Sequence, residues 1–398
     1  MRILISSESY WPNLDGGAVF EHWLVHELIR EGHEVCVVAP GDSLKPSEEK
    51  DGDSIIYRTS SGPLPLSDNY KVSYRAMPTA SKAIDDFHPD VIHINTMALT
   101  GSALLKLAKK SDIPIVATNH LMPENVFMSL PSFIKDSKAL EEKFWSKLVD
   151  FHNKFDAVTS PTPSATRLLR EHGLVKPLYD ISNGIDVAKF SPLPDSRKKA
   201  VRSQQLKRFK IPGRYVLYLG RVNAEKRIDM LIDSFARICD ETDADLVIAG
   251  SGNRENELKQ QAKSLKISER VHFLGRVSDE EKVALYQCAE LFAITSPAEL
   301  QSIVTLEAMA CGLPLVTVDV VALSELCHDK KNGFLVDLDD NQACANAMLV
   351  ILNDDNIRKR FGKYSRDFVK NHHDSRLTLA KFTKLYDSSI RGKFPNNL

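Results

Sequence analysis

The stretch Leu291-Phe292-Ala293-Ile294-Thr295-Ser296-Pro297-Ala298-Glu299-Leu300-Gln301-Ser302-Ile303-Val304-Thr305-Leu306-Glu307-Ala308-Met309-Ala310-Cys311-Gly312, followed by the apolar run Pro314 to Val318, decides the fold. A β-prone run, a loop, a helical pattern ended by glycine and a second β-prone run make one strand–loop–helix–strand unit of a parallel sheet. Ligands of such sheets bind at the carboxyl ends of the strands, where this loop must lie. On one continuous helix Glu299 and Glu307 would stand roughly 80° apart, a poor match for a shared face. Pro297 and the preceding strand place Glu299 in the loop instead, and the helix starts near Ser302. Glu307 then lies in the second turn and leans back toward the helix N-terminus. Both carboxylates approach a space with free backbone N–H groups and a positive dipole end, which suits phosphate. Placed there, Glu307 is expected to stay ionised and accept hydrogen bonds. A capped, solvated helix start accounts for this stretch equally well.

The 398 residues exceed one comfortable core and predict two domains of about 200 residues each. With 43% hydrophobic and 26% charged residues the chain reads as globular, and a net charge of −1 excludes the basic footprint of a nucleic-acid binder. The basic excess falls in residues 191–398, a weak hint of a diphosphate-binding half. Six cysteines without CxxC spacing read as reduced core thiols of a cytoplasmic protein. Met1 leads straight into a strand, so no signal peptide is read, and no apolar run approaches the length of a membrane span.

Outward from the opening unit, strands read at Arg2–Ser6, Glu34–Ala39, Ser54–Arg58, Asp90–Asn95, Pro114–Thr118, Asp156–Ser160 and Lys176–Ser182. Residues 187–212 form a charged connection with a short helix. A second alternation follows: strand Tyr215–Gly220, helix Glu225–Cys239, strand Asp245–Gly250, helix Glu255–Leu265, strand Arg270–Leu274 and helix Asp279–Cys288. After Gly333–Val336 the chain reads as helical to its end. The expected fold is α/β, with two similar open parallel sheets facing each other across a cleft that is the default ligand site.

Several loops at strand ends have ligand-compatible chemistry. Gly16-Gly17 follows strand one, where backbone must approach a ligand or turn tightly, but it is not the GxGxxG of a dinucleotide fold. Arg221 and Lys226 bracket a helix start that could hold a diphosphate, although one basic pair at a helix start is commonplace. Gly250-Ser251-Gly252 and Gly275-Arg276-Val277 end the next two strands, where backbone could pair with the edge of a base. His120 ends the Pro114–Thr118 strand facing the expected cleft, whereas His93, inside an apolar strand, reads as structural.

In chain order, Gly16-Gly17, Gly32-His33-Glu34-Val35, Thr118-Asn119-His120, Asn183-Gly184-Ile185-Asp186, Gly220-Arg221 with Glu225-Lys226, Gly250-Ser251-Gly252, and Glu299 with Glu307-Ala308-Met309-Ala310 form an ordered set. It spans nearly the whole chain and resembles the retaining, nucleotide-sugar-dependent glycosyltransferases of family 4, which have the two-domain GT-B fold. The resemblance implies an acceptor-binding Rossmann-like domain at 1–190, a nucleotide-sugar-binding domain at 191–372, and a C-terminal helix at 373–398 that returns toward the first domain. It implies that Arg221 and Lys226 bind the donor diphosphate, Glu299 holds hydroxyls of the donor sugar and Glu307 those of the ribose. Gly16 and Gly17 would let backbone approach the phosphates, and His120 would contact the sugar near its reacting carbon. Gly250, Arg276, Val277, Gln301, Ser302, Ile303 and Val304 complete the implied donor-binding set. The implied reaction transfers a hexose, glucose or mannose, from a UDP- or GDP-sugar to a hydroxyl with retention. No metal or other cofactor is implied.

The loop departs from the commoner Glu-Gly-Phe-Gly, having Glu299-Leu300-Gln301-Ser302, and Val321-Ala322 replaces the usual Gly-Gly. Gln301 resembles a branch that glycosylates lipids. The acceptor is therefore expected to be a sugar, a polyol or a lipid. Residues 125–154 carry apolar residues with basic flanks that could rest on the inner face of a membrane; packing of the same stripe onto the core is the simpler reading. Two other readings stand beside this one: a glycosidase using Glu299 and Glu307 as its carboxylate pair, and a non-catalytic nucleotide-binding protein of the same fold.

Overall fold

The computed structural model describes residues 1–12, 16–63, 71–123 and 137–398. It divides into two compact units, Met1–Asn183 with Arg376–Leu398, and Gly184–Ser375.

In the first unit, strands β1 (Arg2–Ser6), β2 (Glu34–Pro40), β3 (Ser47–Asp51), β4 (Ser54–Pro63), β5 (Lys71–Arg75), β6 (Val91–Ile94), β7 (Ile115–Thr118), β8 (Ala157–Ser160) and β9 (Leu178–Asp180) form one sheet in the order β3-β4-β2-β1-β6-β7-β8-β9, with β5 on β4. The inner strands are parallel and close to continuously apolar because helices cover both faces. Alternate residues of β1 feed two separate cores. Ile3 and Ile5 pack with Phe20, Leu24, Phe382 and Tyr386, while Leu4 packs with Ile92, Leu104, Trp145 and Phe155. The edge strands β3 and β5 are antiparallel to β4. Neither was expected from the sequence: Ser47–Asp51 reads Ser-Glu-Glu-Lys-Asp, is largely exposed, and shows no hydrophobic alternation.

The last helix, Ser375–Ile390, completes the first of these cores with Leu379, Phe382, Leu385 and Tyr386. The Tyr386 hydroxyl meets Nδ1 of His93 at 2.8 Å, and Nε2 of His93 meets Thr118 Oγ1 at 2.7 Å. Fully buried, His93 is a satisfied core residue, and burial pushes its pKa down to about 3.

The second unit holds β10 (Tyr215–Leu219), β11 (Asp245–Ala249), β12 (Val271–Gly275), β13 (Leu291–Ile294), β14 (Leu315–Val318) and β15 (Gly333–Val336), all parallel, in the order β12-β11-β10-β13-β14-β15. This is the doubly wound order that reverses between its first and fourth strands, so the crevice lies at the carboxyl ends of β10 and β13. The loops after these two strands are Gly220–Arg227 and Thr295–Ser302. Where helix Glu225–Cys239 was expected, a 3-10 turn, Ala224–Lys226, precedes helix Ile228–Ala236. Arg227, in the left-handed region at φ 49°, makes the break.

Candidate active site

The two loops at the crevice are sewn together by the residues that end β13. Thr295 donates its hydroxyl to the carbonyl of Arg227 at 2.7 Å, and Ser296 reaches the carbonyl of Glu225 at 3.5 Å. Both side chains are buried, so a short polar pair fixes the backbone that carries Lys226. Lys226 in turn extends to Glu299: its Nζ lies 2.6 Å from Oε1, with each side chain only 12% exposed. At so little exposure the pair is held much more firmly than a surface ion pair, and removing either member would strand a charge.

Arg221 was expected to act beside Lys226 at a helix start. Lys226 instead ends the 3-10 turn, and Arg221, 64% exposed, lies 3.2 Å from the carboxylate of Glu225. Of the two cations, Lys226 is the one joined to the two-glutamate loop.

The sequence places Glu299 in the loop and the helix start near Ser302; the helix is Ile303–Ala310 with Ser302 at its N-cap. The Ser302 side chain makes no cap hydrogen bond, and its hydroxyl accepts from Thr305 Oγ1 at 2.8 Å. Gln301 and Ser302 are buried, while Ile303 and Val304 are half-buried against the core of the unit. Glu307 is buried in the second turn, where Lys282 Nζ donates to its Oε1 at 2.7 Å and the Tyr286 hydroxyl to its Oε2 at 3.0 Å. Burial raises its pKa, opposed by Lys282 and the Tyr286 hydrogen bond. Glu307 was expected to stay ionised at the helix N-terminus; burial instead shifts it toward the neutral form, and the residues opposing that shift lie on helix Asp279–Cys288. Lys282 and Tyr286 were missed in the sequence, although their four-residue spacing puts them on one helix face.

The glycines at the strand ends are needed for packing of one loop on the next. A Cβ on Gly250 would sit 1.8 Å from the Gly220 carbonyl oxygen, and one on Gly252 2.2 Å from that of Val222. Gly250 also donates its N–H to the Gly275 carbonyl, and Val222 to that of Ser251. The loops after β10, β11 and β12 therefore form one continuous rim. Arg276 is exposed on it and Val277 half-buried beneath it.

In the first unit, Gly16 and Gly17 open helix Gly16–Arg30 rather than lying in the loop before it. His120 follows β7 and packs its ring edge-on against Phe20 of that helix, centroids 5.4 Å apart, which brings it beside the first turn. Burial lowers its pKa to about 4, and among the described residues its Nε2 has no hydrogen-bond partner. Of residues 125–154, those up to 136 lie outside the described residues. The helix Lys138–His152 buries Trp145, Leu148, Val149 and Phe151 in the core, while Leu140 and Lys138, Lys143 and Lys147 are exposed. No helix of the described residues is long and apolar enough to cross a membrane.

Two doubly wound sheets, the second carrying a lysine–carboxylate pair at its switch point, are the architecture of the GT-B fold. Over 98% of its length the chain superposes on sucrose-phosphate synthase from Thermosynechococcus elongatus with a TM-score of 0.81 at 20% identity, covering 100% of that protein. It also superposes on Anabaena HepE in complex with UDP-glucose (TM-score 0.76, 20% identity, 98% of this chain and 100% of that one). Residues 14–189 match the model of glycosyltransferase family 4, and residues 202–368 that of the group 1 glycosyl transferases. The chain belongs to the family 4 glycosyltransferases and is an enzyme of that class. It is 28% identical over 338 residues to the alpha-monoglucosyldiacylglycerol synthase of Streptococcus pneumoniae, covering 84% of this chain and 75% of that one. It is 27% identical over 384 residues to a phosphatidyl-myo-inositol mannosyltransferase of Mycolicibacterium smegmatis, covering 94% and 90%.

Proposed function

We propose that this chain is a retaining hexosyltransferase that moves glucose or mannose from a UDP- or GDP-sugar to a hydroxyl of a membrane glycolipid or lipid precursor. The observation that carries the reading is the Lys226–Glu299 pair at the switch point of the second sheet. A cation and an acceptor side by side match the two halves of a sugar nucleotide at its scissile bond, diphosphate and sugar hydroxyls.

In this reading Lys226, with Arg221 closing from solvent, binds the diphosphate and stabilises it as it leaves. Glu299 accepts from the hexose hydroxyls, and Glu307, held by Lys282 and Tyr286, accepts from the ribose. The rim containing Gly250, Arg276 and Val277 meets the base, and the Gln301–Val304 backbone meets the phosphates. The family resemblance supports a part for Gly16 and Gly17 in phosphate binding and for His120 in sugar binding. The bond from the anomeric carbon to phosphate oxygen breaks as the acceptor oxygen attacks from the same face, and the departing phosphate takes the acceptor's proton. In this reading Lys226 and Arg221 supply the positive charge that faces the diphosphate, and no metal is expected. For the acceptor, two relatives are named for lipid acceptors. Exposed Leu140 among exposed lysines fits a surface that rests on a membrane from the cytoplasmic side.

The test is a donor and acceptor panel: UDP-glucose and GDP-mannose with diacylglycerol or phosphatidylinositol in mixed micelles, against soluble polyols. The expected result is release of one nucleoside diphosphate, undiminished by EDTA, with an α-linked glycolipid product. Strict metal dependence or an inverted product would overturn the mechanism. Hydrolysis of a nitrophenyl glycoside without nucleotide would favour a glycosidase, and tight nucleotide binding without turnover a non-catalytic protein.

A further inference from the structure

On helix Gly16–Arg30, His22 and His26 stand four residues apart and face Asp51, the last residue of edge strand β3. His22 Nε2 lies 3.2 Å from Asp51 Oδ2, His26 Nε2 lies 3.1 Å from the same oxygen, and the two Nε2 atoms are 3.1 Å apart. The triangle is nearly equilateral. Each Nε2 bears at most one proton and an ionised carboxylate none, so hydrogen bonds can satisfy at most two of its three edges. If both histidines donate to Asp51, their N–H groups crowd each other. A cation at the centre satisfies all three atoms at once through lone pairs.

We propose that His22, His26 and Asp51 bind a divalent transition-metal ion of the zinc type, which fastens the β3–β4 hairpin to helix Gly16–Arg30. Ligands at zinc's usual ~2.0–2.1 Å around a tetrahedral ion stand about 3.3 Å apart, close to the spacing here. Two imidazoles and one carboxylate suit a borderline ion better than magnesium or calcium, which take oxygen. The three side chains are 20–29% exposed, so an ion can enter and water can fill its open position. Support behind the ligands is present as well: the buried Tyr10 hydroxyl donates to Asp51 Oδ2 at 3.0 Å. Gly52 leaves room for the His26 ring, since a Cβ there would lie 3.3 Å from Cε1. β3 is an exposed, charged edge strand, and a metal tie to the neighbouring helix would fix it in place.

The test uses the whole chain stripped with EDTA and titrated with zinc against a chromophoric chelator. One ion per chain is expected, with a rise in Tm, and at least a tenfold loss of affinity in His22→Gln and in His26→Gln. Melting of both variants in EDTA checks that they fold. Cobalt(II) on the wild-type chain gives a second readout that needs no variant: a nitrogen and oxygen ligand set gives d–d bands without thiolate charge transfer. Absence of saturable binding, binding unchanged in the double variant, or a thiolate band from the six buried cysteines would each overturn the site.

Discussion

Lys226 and Glu299, 73 residues apart in the chain, meet at 2.6 Å where the loop after β10 faces the loop after β13. Each carries a charge that a sugar nucleotide would use, and each neutralises the other in the meantime. Replacing Lys226 with Ala is expected to lower turnover at least a hundredfold and Tm by several degrees, because Glu299 loses its counter-charge. Lys226→Met with Glu299→Gln should recover the Tm but not the turnover. The exposed Lys147→Ala should leave both unchanged. Equal losses of turnover at Lys226 and Lys147 would reject the diphosphate assignment.

Tyr286 and Lys282 share the carboxylate of Glu307 between them. Tyr286→Phe removes one hydrogen bond worth about 1 kcal/mol, so KM for the donor should rise roughly fivefold with kcat little changed. Lys282→Met leaves burial, which already raises the Glu307 pKa, without its main opponent. Donor binding by that variant should weaken as pH falls, because the carboxyl takes up a proton at higher pH than in the wild type. A pH-independent KM would contradict the role given to Lys282.

Gly250 and Gly173 separate two costs of a side chain. Both have positive φ, 137° and 99°, but a Cβ at Gly250 meets the Gly220 carbonyl at 1.8 Å while one at Gly173 meets nothing within 4 Å. Gly173→Ala should cost about 1 kcal/mol from backbone strain alone. Gly250→Ala should cost well over twice that and raise donor KM as the rim shifts. Denaturant titration and donor kinetics check both.

Three histidines of the first unit are buried and neutral, with pKa values pushed down by burial to about 3 for His93 and about 4 for His120 and His152. The unfolded chain takes up these protons near pH 6.5, so the stability they allow is complete above that value and is lost as pH falls toward 4. Between pH 6.5 and 5 each removes about 1.5 kcal/mol. Calorimetry should therefore find the transition of the first unit moving down in temperature over this range, ahead of that of the second. Parallel movement of both would contradict this assignment.

Much of this was legible in the sequence because buried parallel strands are short, near-continuous apolar runs. Tyr215–Leu219 and Leu291–Ile294 stand out from their surroundings for that reason. Strand β3 was not legible, since an exposed edge of charged residues is held by its neighbour's backbone and not by its own side chains. The break at Arg227 was missed because a left-handed residue that is not glycine leaves no compositional mark. Lys226, Glu299 and Glu307 were each singled out, but which cation meets which carboxylate depends on the strand order, and Lys282 wins Glu307 through it. His22 and His26 went unnoticed because only the apolar positions of that helix were read.

The first unit takes its final helix from the far end of the chain, and Tyr386 reaches back to His93 across 293 residues. During synthesis the β1–β9 sheet therefore leaves the ribosome with the apolar faces of Ile3, Ile5 and Phe20 lacking their Phe382 and Tyr386 cover. The later-made unit, continuous in sequence, can close first, and the earlier-made one must wait for the last residues to be joined. A fragment ending at Asn183 should collect in aggregates, whereas one spanning Gly184–Ser375 should remain dispersed.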